Sequence, residues 1–453
     1  MKPIPTIFVL IYLLSSLFVR AQEVWSLDDC VAYAIEHNLQ LKDFELNEAS
    51  GKETYRQSVR ALLPTLSGDV DYNIKNGRST DPFTNDVTNT SFFSNNYSLS
   101  SSISLFEGFQ KLNTIKASKF LYKAAKKDVE QQKYLLAFDV MSAFYDIKFI
   151  EGLLQNSKEQ QEISQANYDF VVKQIDLGLK AGADLYEAES LLLTDKLTVT
   201  QTENRLQTAR LTLVQAMNLK GASSITLSFS DSEVSTEDMV IAQSPVDSVY
   251  QKALEVVPVI KAQQLRKEAA KKQLAVARGN LYPSLTFATG IGTGYYETNV
   301  TEDTNEIIPF RTQIDDNTSK YVGVALNIPI SSKWSRRSNV SQQKIAYKRA
   351  INNVEVEQQQ LYQLLQQLVQ ENAALTAEAI QSKSQLNAQE LAFQMATKRY
   401  EKGLISALEL FQAKNLFATA QNTNLQVQLK LKVNASTLDF YEGLPIFDIN
   451  TTN

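Results

Sequence analysis

The stretch Leu66-Ser67-Gly68-Asp69-Val70-Asp71-Tyr72-Asn73-Ile74-Lys75 decides how the rest of the chain is read. Its period of two puts Leu66, Val70, Tyr72 and Ile74 on one face of a strand and polar residues on the other. Its length matches the roughly 9 to 11 residues of a tilted membrane-spanning strand. The pattern returns at 97–105, where Tyr97, Leu99, Ile103 and Leu105 alternate with Ser98, Ser100, Ser102 and Ser104. It returns twice more, with Leu285, Phe287, Ile291 and Tyr295 set against Thr286, Ala288, Gly290, Gly292 and Gly294, and with Val322, Val324, Leu326 and Ile328 set against Gly323, Ala325 and Asn327. Small and hydroxyl side chains on one face suit a wet lumen. The expected lipid face is then Val70, Tyr72, Ile74, Leu99, Ile103, Phe287, Ile291, Val322, Val324 and Leu326. A soluble sheet packed on helices gives the same alternation in any single strand.

Working outward, polar segments rich in Asn, Thr, Asp and Ser at 76–96 and 297–319 join the strands of each pair and read as surface loops. Tyr72, Phe92, Phe93, Tyr97, Tyr295, Tyr296, Phe310, Tyr321 and Trp334 flank the strands, as interfacial aromatics do. The remainder is helical on a large scale. No Pro interrupts 108–175 or 333–402, and some 70 helical residues extend roughly 100 Å. After each of these runs a seven-residue stripe follows: Leu185, Leu192, Val199, Leu206 and Leu213, then Leu410, Phe417, Asn424, Leu431 and Leu438. Such a stripe commits a helix to coiled-coil packing, and the preceding helix answers with Leu361, Leu368 and Leu375. Gly178 and Gly403 mark the turns of two helical hairpins. Ser406 with Glu409 forms a capping-box pattern, and Asp184 holds the matching acidic position in the first half. Acids there favour the helix dipole, and they are also candidates to face an axial opening.

The chain is written twice. Ala34-Ile35-Glu36 aligns with Ala253-Leu254-Glu255, and Leu62-Leu63-Pro64-Thr65-Leu66 with Leu281-Tyr282-Pro283-Ser284-Leu285, both at an offset of 219 residues. Gly178-Leu179 aligns with Gly403-Leu404 and Asp184-Leu185-Tyr186 with Glu409-Leu410-Phe411, at 225. We therefore divide the chain into a signal peptide at 1–21, a first repeat at 22–244 whose polar end from 221 is a linker or small belt, and a second repeat at 245–453. The signal peptide reads from Lys2, the apolar run at 7–18 and the small residues of Val19-Arg20-Ala21. Cys30 and His37 align with Val249 and Val256, so both are expected in buried or half-buried structural positions.

Composition narrows the function classes. Across 453 residues there are 15 Gly and 10 Pro, so turns are few and regular segments long. One Cys and one His supply neither a disulfide nor a Cys/His metal cluster, and only His37 is available to a catalytic triad. No catalytic, cofactor-binding or metal-ligating residue is expected, and the chain reads as a non-enzyme. A net charge of −5 argues against a nucleic-acid partner. Five Met and one His argue mildly against a copper or silver route. Four strands are too few to close a membrane barrel, and an open sheet leaves unpaired backbone in lipid, so two, three or four copies must join. The rival reading is a periplasmic coiled-coil scaffold or adaptor without a pore, which has no need of two-faced strands.

With these features in place the chain resembles the TolC family of outer-membrane efflux and secretion ducts. The twofold repeat, the Leu-x-Pro before the first strand of each half, Leu105-Phe106-Glu107-Gly108 at the head of a long helix, and the Gly-centred turns carry the resemblance together. It implies a mainly α fold of long coiled-coil hairpins with four transmembrane strands per chain, and a homotrimer whose 12-stranded membrane β-barrel is continued by an α-helical tunnel through the periplasm. It implies location in the bacterial outer membrane and contact with outer-membrane lipid. It also implies a periplasmic adaptor (membrane fusion) protein and an inner-membrane transporter of RND or ABC type, in a tripartite efflux pump or type I secretion system. In that family the periplasmic end is shut by carboxylates and inter-helix hydrogen bonds. Asp184 and Tyr400 match members of that lock, Glu409 matches an acid that narrows the entrance, and Ile405 and Gln412 depart from the pattern. The triplets Leu177-Gly178-Leu179 and Lys402-Gly403-Leu404 resemble the adaptor-contacting tips.

Overall fold

The structure, a computed structural model, describes residues 24–80, 83, 85–89, 91–220, 225–229, 245–301, 303, 304, 306–444 and 447. The expected signal peptide and most of the stretch 221–244 lie outside the described residues. In chain order the elements are β1 (Val24–Trp25), α1 (Leu27–His37), α2 (Leu39–Arg60), β2 (Thr65–Lys75), β3 (Arg78–Thr80), β4 (Val87–Asn89), β5 (Phe92–Glu107), α3 (Gln110–Asp176) and α4 (Gly182–Met217). They continue with β6 (Thr226–Leu227), α5 (Val246–Val256), α6 (Pro258–Gly279), β7 (Ser284–Tyr296), α7 (Phe310–Asp316), β8 (Ser319–Asn327), α8 (Ser335–Glu401) and α9 (Ala407–Glu442).

Helix lengths match in pairs: 11 residues for α1 and α5, 22 for α2 and α6, 67 for α3 and α8, and 36 for α4 and α9. Positive φ angles fall at Gly108 and Lys333, Phe109 and Trp334, Gly178 and Gly403, and Asn218 and Gly443, each pair 225 residues apart. Corners and helix ends are thus built alike in both halves, even where Lys and Trp replace Gly and Phe.

The chain divides into two compact units, each drawing on both sequence halves: residues up to 46 with 127–260 and 357 onward, and residues 47–126 with 261–356. The first unit is helical. Cys30, Val31 and Ala34 of α1 pack with Leu136, Val140, Met141, Phe144 and Ile147 of α3 and with Leu206, Leu213 and Met217 of α4. Val249, Ala253, Val257 and Ile260 likewise meet Leu361 and Leu365 of α8. The buried residues of α4 include Ala188, Leu192, Asp195, Val199, Thr202, Leu206, Ala209 and Leu213, the alternating four-and-three spacing of a coiled-coil seam. Leu375 and Ala379 of α8 close on Val427 and Leu431 of α9. Of the segment joining the halves, Thr226 and Leu227 pair in parallel with Val24 and Trp25.

Burial pushes the Cys30 thiol up to about 12, with Asp29 adding to the effect. Such a thiol is inert at neutral pH. His37 departs from expectation: it is exposed, stacked on Tyr33 at 4.0 Å between ring centroids, with Nδ1 3.0 Å from the Tyr33 carbonyl oxygen. It occupies the last turn of α1, where the helix end rather than the core sets its surroundings.

The second unit holds a four-stranded antiparallel sheet in the order β2-β5-β7-β8. All four expected strands are present. The stretches expected as plain loops contain more: β3 pairs with β4, and α7 sits between β7 and β8. Gln313 of α7 is fully buried and anchors that helix. Its amide donates to the carbonyls of Tyr296 and Ile308 at 3.1 and 2.8 Å and accepts from the Tyr296 backbone N–H at 2.9 Å. The expected alternation also fails at one point. The register shifts between Ser104 and Phe106, so that Phe106, not Leu105, stands opposite Leu285. This is a bulge in the residues that lead to α3.

Candidate functional site

The register sorts the sheet into two faces. Gly68 faces Leu99, which faces Ile291; Ile103 faces Phe287; Val322, Val324 and Leu326 face Thr289, Phe287 and Leu285. Partners across an antiparallel ladder share a face. All ten residues expected to meet lipid therefore lie on one side of the sheet. Eight are exposed, while Ile103 and Phe287 are half-buried. The hydroxyls on this side turn inward to backbone: Ser101 Oγ donates to the Thr65 carbonyl at 2.8 Å, Thr289 Oγ1 to that of Tyr321 at 3.0 Å, and Thr293 Oγ1 to that of Ile314 at 2.7 Å. A polar group that gives its proton to backbone is tolerable in an apolar medium.

The opposite side carries Asp69, Asp71, Asn73, Ser98, Ser100 and the small residues of β7 and β8. Its hydroxyls pair with each other, Ser67 with Ser100 and Thr65 with Ser102, both at 2.9 Å. Toward the loops, the apolar face ends in a chain of rings. Tyr72 meets Phe93 at 4.4 Å, Phe93 meets Tyr295 at 5.6 Å, Tyr295 meets Phe310 at 5.5 Å, and Phe310 meets Tyr97 at 6.5 Å. Of the other flanking aromatics, Phe92 is buried, Tyr296 and Tyr321 belong to the polar face, and Trp334 stacks with Arg337. Every residue of β2 and of β8, the two edges, is exposed.

At the hairpin turns, Gly178 and Gly403 have φ of +72° and +70° with nothing nearby, so glycine serves the left-handed backbone. Leu177, Leu179, Lys402 and Leu404 are exposed around them. Ser406 and Glu409 form the full capping box: Ser406 N donates to Glu409 Oε2 at 2.8 Å and Glu409 N to Ser406 Oγ at 3.2 Å. Donation to the carboxylate by Ser406 N foremost, and by the Ser406 hydroxyl at 2.9 Å, holds the Glu409 carboxyl below the usual glutamate range, with the Arg399 charge adding to the effect. Asp184 closes half of the equivalent box, accepting from Ala181 N at 3.1 Å, because Ala181 has no hydroxyl to return. Tyr400 is buried against Phe170, and its hydroxyl accepts from Lys180 Nζ at 3.4 Å. The three expected gate residues thus share the turn region, with Tyr400 hydrogen-bonded to Lys180.

One feature of the helices escaped the sequence reading. Lys414 of α9 is buried, and its ammonium donates to Asp195 of α4, to Ser164 Oγ of α3 at 2.7 Å and to the Gln160 carbonyl at 3.3 Å. Ser164 also donates to Asp195. Burial lowers the Lys414 pKa, and the hydrogen bond and charge of Asp195 oppose that shift. Asp195 stands in the stripe Ala188, Asp195, Thr202, Ala209, and a lone acid in a coiled-coil seam was the available signal. Among the described residues, no group of three or more His, Cys, Asp or Glu is placed to hold a metal ion, and no helix is long and apolar enough to cross a membrane.

Comparison with known proteins agrees with this arrangement. The family model for outer membrane efflux protein matches residues 31–219 and 249–444. The cation efflux system protein CusC of Escherichia coli O157:H7 is 20% identical over 409 residues, covering 90% of this chain and 84% of the relative. The crystal structure of the outer membrane protein VceC from Vibrio cholerae superposes with a TM-score of 0.76 at 14% identity, covering 92% of this chain and 96% of that one. The open-state outer membrane channel MtrE of Neisseria gonorrhoeae gives 0.73 at 18% identity, over 93% and 89%. With both halves matched by one model, the chain belongs to the outer membrane efflux protein family.

Proposed function

We propose that the protein is the outer-membrane duct of a tripartite export assembly. Three copies join their four-stranded sheets into a 12-stranded barrel, with a helical tunnel leading through the periplasm. The duct is passive. An inner-membrane transporter of RND or ABC type, reached through a periplasmic adaptor, drives the cargo, whether in efflux or in type I secretion. The carrying observation is the sheet: one face apolar and exposed, the other polar, with both edges unpaired. An open edge in lipid leaves backbone groups unsatisfied, and pairing β2 of one copy with β8 of the next removes every edge. A pore-free periplasmic scaffold gives no reason for such a sheet. The paired helix lengths and repeated positive-φ corners support descent of the two halves from one duplicated unit.

At the periplasmic end, Asp184, Tyr400 and Glu409 form the gate, while Leu177, Gly178, Leu179, Lys402, Gly403 and Leu404 meet the adaptor. Residues 1–21 direct export to the periplasm. With five Met and one His, we leave the cation cargo in the name of CusC with that relative. The test is the purified protein in detergent: a heat-modifiable trimer that conducts ions across planar bilayers is expected. A monomer that stays soluble without detergent would overturn the reading. Replacing Asp184 and Glu409 together with Ala should change cation selectivity and conductance, and unchanged values would leave both as helix caps only.

A further inference from the structure

The apolar face of the sheet carries one charge. Across 66–74 of β2, 93–103 of β5, 285–295 of β7 and 320–326 of β8, the residues sharing that face are apolar, small, aromatic, hydroxyl or amide, and Lys320 is the single charged one. Lys320 stands opposite Ile291, which stands opposite Leu99. Two residues nearer the loops, about 7 Å along the strands, lies the row of Thr293, Tyr97 and Val70, where the ring chain begins. A shallow concavity of about 450 Å³ opens here, lined by Lys320 with Leu66, Leu99, Ile291 and Val322. The Ser101 and Thr289 hydroxyls at its floor already donate to backbone carbonyls. Lys320 itself is exposed and takes part in no ion pair among the described residues.

Assembly does not supply the missing anion. A neighbouring copy's β2, laid along β8, presents Leu66, Gly68, Val70, Tyr72 and Ile74 on this face, and sends Asp69 and Asp71 to the other. A lysine on the lipid side of a strand is costly near the bilayer centre and tolerated near the interface. There its long stem lies along apolar surface while the ammonium reaches a head group.

We infer that Lys320 and the groove beneath the aromatic chain bind a phosphate-bearing membrane lipid, the ammonium holding the phosphate and the groove an acyl chain. The inference rests on the barrel reading above. Its test uses the assembled protein in nanodiscs of phosphate-free digalactosyl diacylglycerol doped with phosphatidylglycerol, with retained lipid counted by native mass spectrometry. The native protein should enrich phosphatidylglycerol over the bulk lipid, and Lys320→Arg should do the same. Lys320→Gln should lower that enrichment about five-fold, the share of one interfacial cation, while assembling as well as the native protein. Equal enrichment in Lys320→Gln would overturn the site. Displacement of phosphatidylglycerol by inorganic phosphate at matched concentration would overturn the lipid as occupant. A native chain that fails to enter nanodiscs at all would instead overturn the outer-membrane reading.

Discussion

The sheet and the helical bundle invert each other's burial. In the sheet, Val70 and Val322 stand 71% and 73% exposed, on a face where most residues are apolar. In the bundle, Lys414 and Asp195 are 2% and 8% exposed, in a seam where most neighbours are apolar. One rule covers both. An apolar side chain is stable wherever its surroundings are apolar, and for the sheet the proposed surroundings are lipid. A charged pair is retained in a seam for what it specifies rather than for net stability, since desolvation offsets much of the attraction. The pair ties α4 to α9 and, through Ser164 and Gln160, both to α3, and a lone polar residue at such a position can set register in a coiled coil. Apolar stripes alone accept a slide by one heptad, but Lys414 meets Asp195 in one alignment only.

The sharpest way to break that contrast is Lys414→Met. Removing one partner strands the Asp195 carboxylate and should cost about 3–5 kcal/mol, read as a lower midpoint of helical unfolding by circular dichroism. Adding Asp195→Leu to Lys414→Met should recover most of the loss, because an apolar pair fills the same space without desolvation. If Lys414→Met unfolds like the native protein, the charges are not sealed in the seam and the contrast fails. The matching experiment in the sheet places an arginine on either face of β8. Val324→Arg should cost about 2–4 kcal/mol at mid-strand and deplete the heat-modifiable form in outer-membrane fractions. Ala325→Arg, one residue on and facing the polar side, should leave assembly intact. Equal loss from both would mean that the two faces see the same medium.

What the sequence discloses follows the same division. Period two in the strands and period seven in the helices are local, so all four strands, the long helices and the Ser406–Glu409 box are legible from composition and spacing. The features that stayed hidden depend on distant partners. Leu105 continues the alternation on paper, but the bulge before α3 hands its place to Phe106. The helix α7 lies in a polar stretch with no apolar stripe and is held by the side chain of Gln313 reaching Tyr296 and Ile308. Lys414 and Asp195 are 219 residues apart, and neither reveals the other until α4 and α9 both pack on α3. Alignment with Val256 misplaced His37, because a helix end can carry an exposed ring where its sister position carries Val.

A smaller effect tests how closely the polar face is built. A Cβ added at Gly290 would lie 2.6 Å from Cε1 of Tyr321, which faces it across the ladder. The ring can swing away into open space, so Gly290→Ala should cost only about 1 kcal/mol, the price of an off-rotamer side chain. Tyr321→Ser in the same chain should remove that cost. A loss that persists in the double variant would place the strain in the backbone instead.

The smallest predicted effect lies at the tips, where the helix-capping position carries a hydroxyl in one hairpin, at Ser406, and none in the other, at Ala181. Glu409 is held below its usual range by the Ser406 N–H and hydroxyl. Its folded-state pKa is lower than its unfolded one, so the cap's contribution is complete above the ordinary glutamate range and is lost as pH falls through the lowered value. Hydrogen exchange at the start of α9, corrected for intrinsic rates, should be level from neutral pH to about 5 and rise below that. Glu409→Gln should exchange somewhat faster at neutral pH and show no such acid limb. In the first hairpin, Ala181 lacks the oxygen that Ser406 supplies. Ala181→Ser should complete the box with Asp184 and slow exchange at the start of α4, by less than about 1 kcal/mol in stability. Exchange unchanged by that added hydroxyl would mean that the first tip is held by its packing, with the Lys180–Tyr400 contact outweighing the cap.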